Sequence, residues 1–245
     1  MDVSTARPSE QLSLAPHVRA CHVDGQVILL DLRRNQYVGV GGRHMRALEE
    51  QVKDWPVMPV SSVADADAAA TGALKQRLLT QGLLTSHPSK RRNDSAVEEA
   101  TSTLDFEGVP THSIVNARRI GRFLQSVAVT SLRLRFRSLH GIEKTLTARR
   151  ARHQAALADG ASREAVFSVA AVYDTLRPFA LTARDKCLQD SLALIDFMAS
   201  ERLFPRWVIG VKTRPFAAHS WVQCGGAVLN DQHEHVRRFR PILVV

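Results

Sequence analysis

The sequence predicts an α+β protein of two domains, and three observations carry that reading. Short β-branched runs joined by tight-turn residues fill positions 17–40. Helical periodicity dominates the middle of the chain, and an apolar strand run with a Gly-Gly hairpin signal closes it. A polar, proline-punctuated stretch without periodicity separates the two parts. The length of 245 residues with 44% apolar content suits one large domain or two small ones, each with a real core.

The first domain is expected over residues 1–86. HVRACH and VILLDL flank Asp24-Gly25, which reads as a tight hairpin. Arg33-Arg34-Asn35 turns the chain into a third strand, Tyr37 to Val40, which Gly41-Gly42 ends. A helix from about Arg43 to Lys53 carries Met45, Leu48 and Val52 on one face, and Pro56 and Pro59 break the chain. A further helix begins over Ser62 to Asp67. Another spans Thr71 to Gln81, with Leu74 and Leu78 on one stripe and Gly82 as a stop. Three strands followed by three helices make a winged-helix-like unit.

Residues 87–112 read as a linker, and 113–245 as the second domain. Ile120, Phe123, Leu124 and Val127 share a helical stripe, followed by Leu132, Leu134, Phe136 and Leu139. Another helix runs from about Ser162 to Leu176 and stops before Pro178. Leu188, Leu192, Ile195 and Ala199 then define an amphipathic helix with Cys187 in its first turn. Trp207 to Val211 is a buried-strand run. Ala217 to Gln223 and Ala227 to Asp231 flank Cys224-Gly225-Gly226, a hairpin signal.

Several functional classes recede. The chain has three cysteines, Cys21, Cys187 and Cys224, with no CxxC, so a reducing compartment and a cytoplasmic location are expected. The N-terminus lacks the pattern of a secretory signal, and no apolar run is long enough for a membrane span. Net charge is +9. Between Ser113 and Arg152 stand ten basic residues and one acid, Glu143. Solvated helix faces are the plain reading of that stretch; a protein-docking face or a nucleic-acid face are the others. A winged-helix DNA-binding protein is a rival for the whole chain. Residues 66–85, however, carry only Lys75 and Arg77, thin for a recognition helix, so no nucleic-acid partner is expected.

The chemistry concentrates near the end. A helix N-terminus favours a thiolate, because its free N–H groups stabilise negative charge. Cys187 sits there, and a base oriented by a third group completes nucleophilic catalysis. His219 and Asp231 qualify if Cys224-Gly225-Gly226 is a three-residue loop ending in a left-handed Gly226. Gln223 then pairs with Ala227, and His219 lies directly opposite Asp231. A two-residue loop opposes Asp231 to Ser220 instead. Trp221 shares the His219 face, as a shield or as ordinary core. Asn230 falls on the other face. His233 and His235 form an HxH without a second ligand pair, so solvated surface is expected and no metal.

RDKCLQDSLAL (Arg184 to Leu194) and WVIGVKTRPFAAHSWVQCGGAVLND (Trp207 to Asp231) together resemble the transglutaminase-like, papain-like cysteine peptidase of lasso-peptide biosynthesis, the B protein. Residues 17–85 resemble the leader-recognition element of peptide-modifying systems, here fused to the peptidase as in the microcin type. The resemblance implies that the first domain binds the leader of a ribosomally made precursor, and that the second cuts it off with Cys187 as nucleophile, His219 as base and acid, and Asp231 as orienter. It implies no cofactor, and it implies an ATP-dependent, asparagine-synthetase-like cyclase as partner. Leader binding in such elements is strand addition at a sheet edge, which points to Tyr37, Val38 and Val40 and to Leu74, Arg77 and Leu78. A transglutaminase-type acyl transferase shares the thioester step and is the rival within the same chemistry.

Overall fold

A computed structural model describes residues 12–41, 44–57, 68–87, 97–104, 115–153, 163–181 and 186–245. The chain divides into two compact units, Met1–Asn93 and Asp94–Val245.

The first unit holds two three-stranded sheets. Strands β2 (Val18–Val23), β3 (Gln26–Asp31) and β4 (Gln36–Gly41) form an antiparallel meander in the order β2-β3-β4. Asp24 and Gly25 both take positive φ, +47° and +76°, as a two-residue hairpin loop of this hand requires. The next turn is tied by Asp31, whose carboxylate accepts the Arg33 and Arg34 N–H groups at 2.8 and 3.2 Å. The second sheet was not foreseen. In it β1 (Leu12–Leu14) lies between β5 (Val52–Lys53) and β6 (Leu84–Thr85). Helix α1 (His44–Gln51) therefore ends before Val52, which pairs with Leu12 rather than continuing the helix. Helix α2 (Ala68–Thr80) follows. Leu14, Leu29, Leu48, Trp55, Leu78 and Leu83 close the core. The helix expected over Ser62 to Asp67 lies outside the described residues, as do Gly42, Arg43 and Pro59.

The second unit packs helices against one sheet. Helix α3 (Ala117–Phe136) is capped by Asn116, which accepts the Arg119 N–H at 3.0 Å. Helix α4 (Leu139–Arg152) is capped by Ser138, and α5 (Arg163–Leu176) runs into a short 3-10 turn, Arg177–Phe179. Helix α6 (Cys187–Ser200) is the central one. Phe123, Tyr173 and Phe197 join α3, α5 and α6 in an aromatic cluster with centroids 5.4–6.3 Å apart. The sheet order is β11-β8-β9-β10-β7, with β7 at Ser102–Thr103, β8 at Arg206–Thr213, β9 at Phe216–Cys224, β10 at Ala227–Val228 and β11 at Arg240–Val244. One turn of helix, α7 (His233–Val236), leads into β11.

Two expectations change here. The stretch read as linker contains β7, which pairs in parallel with β10, so residues 97–104 belong to the second unit, with Ser102–Thr103 in its sheet. Gly226 makes this possible, since a Cβ there would meet the Thr101 side chain. The remaining linker residues expected over 87–112 lie outside the described ones, apart from His87. On α3 the buried positions are Phe123, Ser126 and Thr130, while Ile120 and Leu124 are exposed. Polar residues fit that face because their hydroxyls are satisfied: Ser126 donates to the Phe123 carbonyl at 2.7 Å and Thr130 to Asp196 at 3.3 Å.

About half of the basic stretch is paired inside the unit. Arg133 and Arg149 donate to the two oxygens of Asp196 at 2.5 and 2.8 Å. Arg122 pairs with Glu201, and Arg150 donates to the Phe204 carbonyl at 2.6 Å. Asp196 is only 10% exposed, so removing it strands two partly buried guanidinium groups. Asp196→Ala is expected to cost about 2–3 kcal/mol, read as a lower urea midpoint at unchanged slope. Gly210 makes a second stability prediction. A Cβ there would lie 2.8 Å from the Trp221 ring and 2.9 Å from Phe239. Gly210→Ala is expected to cost about 1–3 kcal/mol by overpacking, measured the same way.

Candidate active site

Cys187 is the first residue of α6, beneath Lys186 as N-cap. The first intrahelical bond runs from the Asp190 N–H to the Lys186 carbonyl, so the N–H groups before Asp190 have no partner within the helix. His219 lies near the middle of β9, opposite Gly210 of β8. Its Nε2 lies 2.5 Å from Asp231 Oδ2. The Asp231 carboxylate is held down to about 2, against burial, by its bonds to His219, the Gln232 N–H and His235. A carboxylate only accepts, so the proton on this contact belongs to His219 Nε2. That leaves Nδ1 for the sulfur, and a hydrogen bond joins the Cys187 and His219 side chains.

These contacts shift all three groups in a coherent direction. Burial alone would raise the Cys187 thiol. The hydrogen bond from His219, backbone N–H groups of Ser220 and Leu188, and the imidazole charge overcome it, and the net direction is down from 9.0. Burial would likewise lower His219, yet its bonds to Asp231 and Cys187 lift it to about 9. Both shifts favour a thiolate–imidazolium pair over the neutral thiol and imidazole. The signs for stability follow. The His219 contribution is complete below 6.5 and fades as pH rises through about 9. The Asp231 contribution is complete above 3.8 and fades as pH falls through about 2.

A second network holds the helix to the hairpin. The Asn230 side chain donates to Asp190 Oδ2 at 2.9 Å and to Ser191 Oγ at 3.2 Å, while its oxygen accepts the Val222 N–H at 2.8 Å. Tyr173 donates to the Asp190 carbonyl and carboxylate at 2.9 and 3.1 Å. Burial raises both the Asp190 carboxyl and the Tyr173 hydroxyl. The cleft over Cys187 has a volume of about 620 Å³, with Arg177, Lys186, Asp190 and Asn230 among the residues lining it.

The hairpin reaches this arrangement by a route the sequence did not indicate. Its loop has two residues, not three: Ala227 pairs with Cys224 and Val228 with Gln223. The left-handed residue is Gly225, at φ +57°, rather than Gly226. Extended rigidly, that register would set Asp231 against Ser220. Strand β10 ends at Val228, however, and the chain leaves the ladder once Leu229 has bonded to the Val222 carbonyl. Face alternation stops applying, and Asp231 turns back to His219.

The profile of the transglutaminase-like superfamily matches residues 108–244, more than half of the chain. The chain belongs to the transglutaminase-like superfamily. Among curated proteins, the microcin J25-processing protein McjB of Escherichia coli is 46% identical over 48 residues, a match covering 20% of this chain and 23% of that protein. The match thus spans about a quarter of the relative's length. No solved structure matches significantly. Superfamily membership and a paired thiol and imidazole in a cleft mark the second unit as an enzyme domain. Among the described residues no helix is long and apolar enough to cross a membrane.

Of two further residues of the superfamily domain, one fills both roles weighed for it from sequence and the other was misread. Trp221 is 2% exposed, its ring stacked 16° from that of His219, and it donates to Gln223 at 3.0 Å, so it is core and backing to the imidazole at once. His235 is no idle surface residue: its Nδ1 lies 3.1 and 3.3 Å from the two Asp231 oxygens. The only available signal was its spacing of four from Asp231. His219, Asp231 and His235 bring ligand-type atoms within 4.8 Å of one another. Two ring nitrogens turned as N–H donors to one carboxylate make a hydrogen-bonded row rather than a set of metal lone pairs.

In the first unit the six leader-binding candidates separate. Val40 and Leu78 are 2% and 1% exposed and belong to the core. Tyr37, Val38 and Leu74 are partly exposed and Arg77 is exposed. Among the described residues strand β4 is an edge of its sheet, paired only with β3.

Alkylation of Cys187 tests the ion pair without any substrate. Iodoacetamide is expected to label Cys187 below pH 9.0, with a further step near pH 9 as His219 loses its proton. His219→Ala should slow labelling at pH 7 by about tenfold or more, followed by peptide mass mapping.

Proposed function

We propose that the chain is a lasso-peptide B protein of the fused type, which binds a precursor leader through its first unit and hydrolyses the leader–core bond with Cys187, His219 and Asp231. The observation that carries the reading is the row of Cys187, His219 and Asp231 side chains at the start of α6, in an open cleft. The partial likeness to a microcin-processing protein points to the substrate class.

The chemistry runs in two steps. The Cys187 sulfur attacks the carbonyl carbon of the leader's last residue. A thioester forms as the C–N bond breaks, and His219 gives its proton to the departing core amine. Water, deprotonated by His219, then hydrolyses the thioester and returns the sulfur as leaving group. Asp231 keeps Nε2 protonated throughout, so Nδ1 is the nitrogen that exchanges protons. The first-turn N–H of Cys187 is the donor assigned to the developing oxyanion. The released core carries a free amine, which an ATP-dependent cyclase needs for macrolactam closure. The setting proposed is cytoplasmic, with no cofactor.

For the leader, the open edge of β4 offers main-chain pairing, with Tyr37, Val38, Leu74 and Arg77 as side-chain contacts. Tethering raises the local concentration of the cut site, so the cleft itself needs little selectivity.

Cys187→Ala is expected to abolish precursor cleavage, and Asp231→Asn to slow it by about 10²–10⁴-fold. Mass spectrometry of the leader separates the reactions: hydrolysis leaves a free carboxylate, whereas acyl transfer adds the acceptor amine. Trimming at the normal rate by Cys187→Ala ends the assignment. Arg77→Glu should weaken precursor binding about tenfold while leaving Cys187 alkylation unchanged, measured by fluorescence anisotropy of a labelled leader.

A further inference from the structure

Asp231 is served by more donors than a two-partner relay requires. Oδ2 receives His219 Nε2 at 2.5 Å, and Oδ1 receives the Gln232 N–H at 2.7 Å. The Nδ1 of His235 lies across both oxygens, at 3.1 and 3.3 Å. Because the carboxylate only accepts, that nitrogen carries a proton whatever the charge on the ring. The two imidazoles also touch each other, with centroids 4.7 Å apart, and both lean on Phe239, at 5.2 and 5.4 Å.

The turn that presents His235 is itself fixed. Thr103 Oγ1 accepts the His233 N–H at 2.8 Å and sits 2.9 Å from His233 Nδ1. Val236 and Phe239 are buried in the cluster that also holds Trp221. A single helical turn pinned at both ends thus aims one ring at the carboxylate. His235 remains 42% exposed, so core packing does not explain its placement.

We propose that His235 is a positioning residue of this site: its Nδ1–H locks the Asp231 carboxylate, and its ring screens the bond between that carboxylate and His219 from water. The inference rests on the assignment of Cys187, His219 and Asp231 as the reacting row. Without His235 the carboxylate keeps only the Gln232 N–H as a second anchor. It then turns more freely and meets more solvent, which weakens its hold on the imidazolium.

Among the described residues, the charged groups near the pair are these. Cys187 comes from α6 and Asp231 from the turn after β10. Lys212 of β8 lies 5.1 Å over the Phe239 ring, and His233 and Glu234 pair with each other at 3.2 Å. Lys186, Asp190 and Arg177 line the cleft.

The test uses the full chain and three variants. Asn at position 235 returns an N–H near the place of Nδ1. Gln keeps bulk but offers its nitrogen near the place of Nε2, and Ala offers neither. The first readout is the pH profile of Cys187 alkylation by iodoacetamide, which needs no peptide turnover. The second is the rate of precursor cleavage.

H235A and H235Q are expected to move the alkaline step of the profile down from about 9 by at least about half a pH unit. Both should slow cleavage about tenfold, chiefly in kcat. H235N should restore most of both. A thermal melt of each variant confirms folding, and H235Q stands in should H235A fail to fold. A step that stays in place or rises in H235A and H235Q overturns the inference, as does an H235N protein that melts normally yet behaves like H235Q. Should the wild-type protein leave the precursor intact, the functional reading fails while the alkylation profile still decides the role of His235.

Discussion

One side chain, Asn230, joins the two halves of the active site. Its amide nitrogen reaches the first turns of α6 through Asp190 and Ser191, and its oxygen takes the Val222 N–H from β9. Cys187 rides on the helix and His219 on the strand. The gap between sulfur and imidazole is therefore set by how firmly helix and strand are pinned, and Asn230 is the pin. Its backbone carbonyl is in turn held by Arg177 at 3.1 Å. The residue after the pin is Asp231, so one turn of chain supplies both the clamp and the carboxylate.

That clamp also explains the buried acid beside it. Asp190 is 8% exposed, and burial raises its carboxyl. An isolated carboxylate there would be costly. Tyr173, Asn230 and Arg177 each supply a compensating contact, which keeps the group tied to three elements at once. The polar network is satisfied along its length, and such networks specify one arrangement where an apolar contact would permit several. A reacting thiolate needs that specificity, because proton exchange with Nδ1 tolerates only small errors in distance.

What the sequence revealed and what it hid divide along physical lines. Cys187 at a helix start was legible, since four apolar residues at helical spacing follow it and the helix begins where predicted. The β2-β3-β4 meander was legible because Asp24-Gly25 and Asp31 through Asn35 carry local turn chemistry that needs no tertiary partner. The pairing of His219 with Asp231 was foreseen for a wrong reason. A ladder rule was extended past the end of a two-residue strand, and the actual contact forms because the chain escapes that ladder. The role of His235 was hidden because it depends on a turn pinned by Thr103, a residue 132 positions earlier in the chain. Likewise the ten basic residues looked free, since Asp196 and Glu201, which pair with four of them, lie in and just after α6. Local chemistry was readable; partners distant in sequence were not.

The short β10 strand is therefore functional rather than incidental. A longer hairpin in the observed register would hold position 231 on the Ser220 side of the sheet, away from the imidazole. Ending the strand at Val228 frees three residues to reverse direction: Leu229 keeps one last bond to β9, Asn230 grips the helix, and Asp231 swings to His219. The geometry that aligns the carboxylate thus comes from breaking regular structure at a defined point. It holds because the Asn230 and Asp231 side chains released by the break find specific partners. Hydrogen bonds to Val222, Asp190, Gln232 and both histidines replace the ladder that was given up.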